Sequence, residues 1–135
     1  MIYDLLGNRA RLSPNKIGVV DVAAGQRWRY SELDERANRL ANALLGLGVS
    51  KGDRVAILAH NGVEYVDAFF AAGKIGAILT PLNWRLATSE ISYIINDCTP
   101  CVLCIGPEFA DREKIFHRGG QPSSASISSA ARFTA

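Results

Sequence analysis

Apolar positions recur along this chain with two periods, and the order in which the periods alternate indicates the architecture. Residues 17–22 (IGVVDV) and Trp28-Arg29-Tyr30 are short β-prone pieces separated by Ala24-Gly25-Gln26, which predicts a β-hairpin. Leu33, Ala37, Leu40, Ala41, Leu44 and Leu45 then follow at helical spacing. Ser31 stands in front as a cap, Glu32 and Asp34 suit the positive end of the helix dipole, and Gly46 and Gly48 form the stop. After a turn at Lys51-Gly52-Asp53, residues 54–59 (RVAILA) are almost continuously apolar, as in a strand covered on both faces. Asn61 with Glu64 resembles a capping box for a second helix, with Val63, Val66, Phe69, Phe70 and Gly73 on its apolar face and Gly76 at its end.

Residues 77–80 predict the next strand, stopped by Pro81, which has no N–H for a sheet ladder. Residues 82–86 read as a loop. Thr88 reads as the cap of a third helix, with Glu90 in its first turn, Ile91, Ile94 and Ile95 buried, and residues 96–100 breaking it. Residues 101–105 (CVLCI) predict a third buried strand, ended by Gly106-Pro107. From Arg54 onward the order is strand–helix–strand–helix–strand. That alternation gives an α/β fold with a parallel βαβαβ sheet, preceded by a β-hairpin and a helix. Residues 121–135 are Ser- and Ala-rich, without an apolar period and with Arg132 as their one charge. They cannot bury enough surface to offset the entropy of ordering, so the expectation is a disordered tail.

Composition narrows the function classes. The 135 residues are 48% hydrophobic and 21% charged, which suits one soluble globular domain. The net charge of +2 comes from 15 basic and 13 acidic residues that form no basic stripe, so nucleic acid is not an expected partner. No run of about 18 apolar residues predicts a membrane span. Residues 1–12 carry Asp4, Arg9 and Arg11 and make a poor signal peptide, so the expected location is cytoplasmic.

Few residues suggest chemistry. Cys98-x-x-Cys101-x-x-Cys104 has the spacing of three iron–sulfur ligands, but a fourth cysteine is missing and His60 and His117 are distant in sequence. Cys101 and Cys104 also fall on a predicted strand, where residues three apart point to opposite faces. The cysteines therefore read as buried apolar residues, and no metal site is expected. Gly46, Gly48 and Gly52 follow a helix rather than a strand and read as stops and turns, not as a dinucleotide fingerprint. There is no G-x-x-x-x-G-K-S/T loop and no G-x-S-x-G elbow. His60 follows a strand end, where α/β folds place ligands, but a lone His there reads as structural.

The pieces together resemble the adenylate-forming (AMP-binding) acyl-CoA synthetases. The similarity runs over residues 12–115. Trp28-Arg29-Tyr30-Ser31-Glu32-Leu33, Ala37-Asn38-Arg39-Leu40-Ala41 and Gly48-Val49 resemble the family's opening helix and its approach. Gly52-Asp53-Arg54-Val55-Ala56-Ile57-Leu58 resembles its first core strand. Asn61, Glu64 and Phe69-Phe70-Ala71-Ala72 resemble the next helix. Lys74-Ile75-Gly76-Ala77, Thr80-Pro81-Leu82-Asn83, Arg85-Leu86, Glu90-Ile91 and Tyr93-Ile94 complete the match.

The resemblance implies the N-terminal part of the synthetase fold over residues 1–115, followed by a divergent tail over residues 116–135. It implies a parent activity in fatty acid metabolism: a small-molecule carboxylic acid is activated by ATP to an acyl-adenylate and transferred to CoA, with Mg²⁺ assisting. The family's phosphate loop, its magnesium-binding acid, its ribose-binding aspartate and its catalytic lysine have no counterpart in these residues. The expectation is therefore a truncated synthetase, inactive alone, with no catalytic residue and no bound cofactor. The resemblance assigns one ligand contact, Arg85, whose guanidinium suits a phosphate of the CoA nucleotide. The alternatives are a non-catalytic interaction module, one piece of a split synthetase acting with a separately encoded remainder, and a free-standing ligand-binding domain with a pocket near His60 or Pro81.

Overall fold

A computed structural model describes residues 4–113, so the 115/116 boundary and the Ser/Ala-rich tail lie outside the described residues. In chain order the elements are α1 (Leu5–Leu12), β1 (Ile17–Asp21), β2 (Gln26–Arg29), α2 (Tyr30–Gly46), β3 (Arg54–Leu58), α3 (Val63–Ile75), β4 (Ile78–Pro81), α4 (Thr88–Cys98) and β5 (Val102–Ile105), then a 3₁₀ segment, Pro107–Glu113. β1 and β2 form the expected antiparallel hairpin. β4, β3 and β5 form a parallel sheet in that order, with β3 in the centre.

Alternate residues of β3 face opposite sides, as the pleat requires. Val55 and Ile57 meet α2 and α3 through Leu40, Leu44, Ala68 and Ala71. Ala56 and Leu58 meet α4 and the 3₁₀ segment through Ile91, Ile95 and Phe109. The path from β3 to β4 crosses one face and the path from β4 back over β3 to β5 crosses the other, so the two crossovers share one hand. A third cluster joins α1, α2 and the hairpin through Leu6, Leu33, Ala37, Val63 and Trp28.

Several expectations need correction at the helix ends. α1 was not legible in the sequence pattern. It buries only Leu6 and Ala10, and its cap is Asp4, whose carboxylate accepts the Gly7 N–H at 2.8 Å. α2 begins at Tyr30 rather than after Ser31. Glu32 reaches back to accept the Arg29 N–H at 2.7 Å, while the Ser31 hydroxyl donates to the Pro14 carbonyl and ties down the loop after α1. Leu45, placed on the buried face by spacing, is exposed. In α4 the cap position is Ala87, not Thr88, and Glu90 accepts the Ala87 N–H at 2.8 Å. The helix also continues through Cys98, three residues into the stretch expected to break it, and stops at Thr99 with a left-handed φ of 43°.

α3 departs furthest from the pattern. It starts after Gly62 rather than Asn61, and its buried stripe is Val63, Asp67, Ala68, Ala71 and Ala72. Phe69 is exposed, and Val66 and Phe70 are half-buried. Small alanines face the sheet, which lets the helix approach β3 closely. Asp67 enters the stripe because Arg36 of α2 holds it with a two-pronged pair, the shorter contact being 2.7 Å. α3 closes as foreseen at Gly76. The φ of 73° there suits glycine, and the Ala77 N–H returns to the Ala72 carbonyl at 2.9 Å.

Pro81 is the last residue of β4 rather than the residue beyond it. Ile78 and Leu82 direct their N–H groups to Asp53 and Ile57 of the β3 segment, so position 81, one step out of phase, faces the free edge, where a missing N–H costs no ladder bond. Pro107 likewise does more than stop β5, since it opens the 3₁₀ segment.

Two charge clusters clip the helices together. Asp67 is 1% exposed and Arg36 18%. Burial raises the Asp67 carboxyl above the usual range in spite of Arg36. Arg36→Ala leaves a buried carboxylate without its partner and is expected to destabilise the fold by about 3 kcal/mol or more. Urea unfolding measures this, and a loss below about 1 kcal/mol would mean that the pair contributes little. In the second cluster Lys74 Nζ lies 2.6 Å from Asp4 and 2.7 Å from Asp34, tying α3 to α1 and α2.

Burial opposes the charge on Lys74, but the bonds to Asp34 and Asp4 outweigh it and raise its pKa. Burial likewise opposes the charge on Asp4, and bonds from Lys74 and the Gly7 N–H outweigh it and lower its pKa. The raised lysine stabilises the fold below its unfolded pKa and loses that contribution as pH rises through the folded value. The lowered carboxylate stabilises above its unfolded pKa and loses its contribution as pH falls through the folded value. Thermal melts of wild type and Lys74→Met should therefore differ most near neutral pH and converge toward both extremes; a constant difference across pH would refute the coupling.

Candidate functional site at the strand ends

In a parallel sheet the chain leaves every strand at the same edge, and ligands collect there. β3 leads into His60, β4 into Asn83-Trp84-Arg85 and β5 into Glu108-Phe109. The structure brings these three loops together. The His60 ring stands edge-on to Trp84 at 4.5 Å and to Phe109 at 4.9 Å between centroids. The His60 backbone N–H donates to the Glu108 carboxylate at 2.8 Å, and Nδ1 lies 3.8 Å from the same oxygen. His60 thus packs edge-on against two rings at the strand ends while its side chain stays 54% exposed.

Arg85 sits in a tight turn. The Leu86 N–H donates to the Asn83 carbonyl at 3.1 Å, and the Arg85 N–H donates to Asn83 Oδ1 at 3.0 Å. This is the local bonding for which asparagine is favoured in turns. The exposed Arg85 guanidinium lies over the Trp84 ring, 4.3 Å from its centroid. Among the described residues no carboxylate pairs with it, so its donors remain available to an anion. Behind the turn, Arg112 Nη1 donates to the carbonyls of Trp84 at 3.1 Å and Leu86 at 3.3 Å. The sequence pattern gave no sign of the roles of Trp84, Glu108, Phe109 and Arg112. Only the strand order, which places the loops after β4 and β5 on either side of His60, could have indicated them.

The cysteines do not form a site. Cys98 ends α4, Cys101 precedes β5 and Cys104 lies within it. Cys101 and Cys104 pack against the same core cluster, contrary to the expected opposite faces, because Cys101 lies ahead of the strand and escapes its alternation. Burial raises all three thiols, Cys104 to about 11, which keeps them protonated and poor as metal ligands or nucleophiles. Among the described residues no group of three His, Cys, Asp or Glu side chains is arranged to hold a metal. No described helix is long and apolar enough to cross a membrane. A separate cleft of about 340 Å³ lies among α1, α3 and β4, lined by Leu5, Phe69, Phe70 and Pro81 and by the already paired Asp4 and Lys74.

A hydrogen-bonded turn presenting an unpaired cation at the strand ends of this sheet is a feature to compare with known proteins. The sequence matches the family model described as AMP-binding enzyme over residues 6–132. The chain belongs to the AMP-binding enzyme family. It is 40% identical over 102 residues to the long-chain-fatty-acid–CoA ligase FadD13 of Mycobacterium tuberculosis, covering 76% of this chain and 20% of that protein. It is 42% identical over 103 residues to a feruloyl-CoA synthase of an Amycolatopsis species, covering 76% of this chain and 21% of that protein.

Among solved structures, the Mycobacterium tuberculosis fatty acyl CoA synthetase superposes with a TM-score of 0.81 at 35% identity, over 90% of this chain and 24% of that one. The anthranilate CoA ligase AuaEII in complex with anthranoyl-AMP gives 0.77 at 31% identity, over 84% and 22%. This AMP-binding chain thus spans about a fifth of the length of the curated relatives it matches. The structure of the N-terminal domain of FACL13 from Mycobacterium tuberculosis superposes with the same TM-score of 0.81, which places the segment in the N-terminal part of the fold.

The geometry distinguishes Phe109, which is packed into the fold, from Arg85, which is exposed on it. Phe109, 8% exposed beneath His60 and Trp84, should cost about 3 kcal/mol when replaced by Ala, whereas Arg85→Ala should stay within about 0.5 kcal/mol of wild type. Chemical denaturation of the two variants checks the contrast, and a large loss for Arg85→Ala would recast it as a structural residue.

Proposed function

We propose that this polypeptide is the opening segment of an acid–thiol ligase that activates a small carboxylic acid with ATP and passes the acyl group to coenzyme A, and that Arg85 binds a phosphate of the CoA nucleotide. The observation that supports this reading is the position of Arg85: exposed, stacked on Trp84 and free of any carboxylate among the described residues, at the strand ends of a fold shared with CoA ligases. A planar guanidinium held over an aromatic ring offers a phosphate a pre-oriented fork of donors.

ATP and Mg²⁺ do not fit the residues present. The sequence contains no G-x-x-x-x-G-K-S/T loop to cradle a triphosphate, and the described residues offer no acidic cluster for a cation. Adenylation requires converging charged groups around the reacting carboxylate. We therefore assign that step to other parts of a synthetase-length protein, and assign to these residues only the placement of the thiol substrate.

The 135-residue polypeptide alone should catalyse no ATP-dependent pyrophosphate exchange. In heteronuclear NMR its Arg85 Nε–H signal should shift with coenzyme A and not with pantetheine, which carries the thiol arm without the nucleotide phosphates. Robust exchange, or equal responses to the two compounds, would refute the proposal. A second reading, in which these residues act with a separately encoded remainder, is favoured by the apolar cleft and by exposed Phe69 and Ile78, which offer a surface for another polypeptide.

A further inference from the structure

The turn that carries Arg85 is held by two kinds of bond. The Asn83 carbonyl and side-chain oxygen accept from Leu86 and Arg85, which fixes the shape of the turn but not its orientation on the sheet. Orientation depends on contacts outside the turn. Leu82, just before it, is buried, and the Trp84 ring packs on His60 and Phe109. Leu86, at its other end, packs against the same core cluster, and the polar tie from outside the turn is Arg112. A single nitrogen, Nη1, donates to the carbonyls of Trp84 and Leu86, the two residues that flank Arg85. Its guanidinium also lies 5.6 Å from the Phe109 ring centroid. Arg112 is half-buried and belongs to the 3₁₀ segment after β5, so it couples the end of β5 to the loop after β4.

We infer that Arg112 is the positioning residue for Arg85: by bonding the carbonyls on either side of it, Arg112 fixes the direction in which the Arg85 guanidinium is presented to an anionic nucleotide. Charge-assisted bonds of this kind are stronger than neutral ones, and here they restrain the backbone on both sides of the binding residue. Without them the turn keeps its internal bonds and its apolar anchors at Leu82 and Leu86, but the backbone between them can shift, and Arg85 spends less time over Trp84. A rigid donor loses less entropy on binding than a mobile one, so the cost of removing Arg112 falls on affinity. The ligand half of this inference rests on the proposed CoA reading; the positioning half does not.

The test uses the 135-residue chain and the probe adenosine 3′,5′-bisphosphate, with NMR for both readouts. In wild type the Trp84 ring current should shield the Arg85 side-chain protons. Arg112→Ala should remove most of that shielding and weaken the bisphosphate by about ten-fold, the scale expected for losing hydrogen bonds to a charged group. Arg112→Lys, whose ammonium can also donate to two carbonyls, should restore part of both. Should Arg112→Ala fail to fold, Arg112→Met keeps an apolar stem beside Phe109 and provides the same comparison.

Unchanged Arg85 shielding in the Ala or Met variant would overturn the inference, whatever the probe does. Loss of shielding with wild-type affinity would also overturn it, since position would then not govern binding. If wild type and Arg85→Ala bind the bisphosphate equally, the CoA reading fails, and the shielding still decides the role of Arg112.

Discussion

β3 is the strand on which every other layer is registered. It bonds to β4 on one side and β5 on the other, and its alternate side chains face the α2–α3 layer and the α4 layer. From Val55 to Leu58 no residue is more than 2% exposed. The sizes of those side chains therefore set the spacing of the whole molecule. Ala56, which packs against Ile91 and Leu103, leaves little room for even one added methylene without moving α4. The charge clusters are secondary to this. Arg36–Asp67 and Lys74 with Asp4 and Asp34 clip helix to helix on one side of the sheet.

This dependence explains what the sequence made legible. β3 is buried on both faces and appears as a continuous apolar run, and α2 shows a clean stripe because one side is solvated. Both were readable from periodicity, and the alternation of strands and helices indicated that the sheet is parallel, though not the order of its strands. The errors fall where a residue's fate depends on a partner distant in sequence. The apolar face drawn for α3 left out Asp67, because the guanidinium that lets it be buried lies 31 positions earlier. Helix starts were misplaced by a residue because Glu32 and Glu90, rather than Ser31 and Thr88, supply the bonds that satisfy the cap N–H groups. α1 escaped notice because two buried residues in a polar octet make no period.

The site was less legible for the same reason. Arg85 was marked only by resemblance to a family, since nothing in Leu82-Asn83-Trp84-Arg85 distinguishes a ligand contact from an exposed loop arginine. Its setting depends on His60, 25 positions earlier, and on Phe109 and Arg112, more than twenty positions later. These groups meet only because β3 lies between β4 and β5. A local pattern cannot carry information about a neighbourhood created by strand order.

That neighbourhood also accounts for what this part of the fold can and cannot do. A turn, an aromatic ring and the half-buried Arg112 guanidinium together fix the setting of one surface cation, Arg85. Acyl transfer needs several groups to converge on a single carbon, each held to within a fraction of an ångström. The strand ends here are occupied by packing: His60 is wedged between two rings, and Glu108 is engaged by the His60 backbone N–H. The contacts that fix this corner thus use up its polar groups, and among the described residues Arg85 stands there without a carboxylate partner.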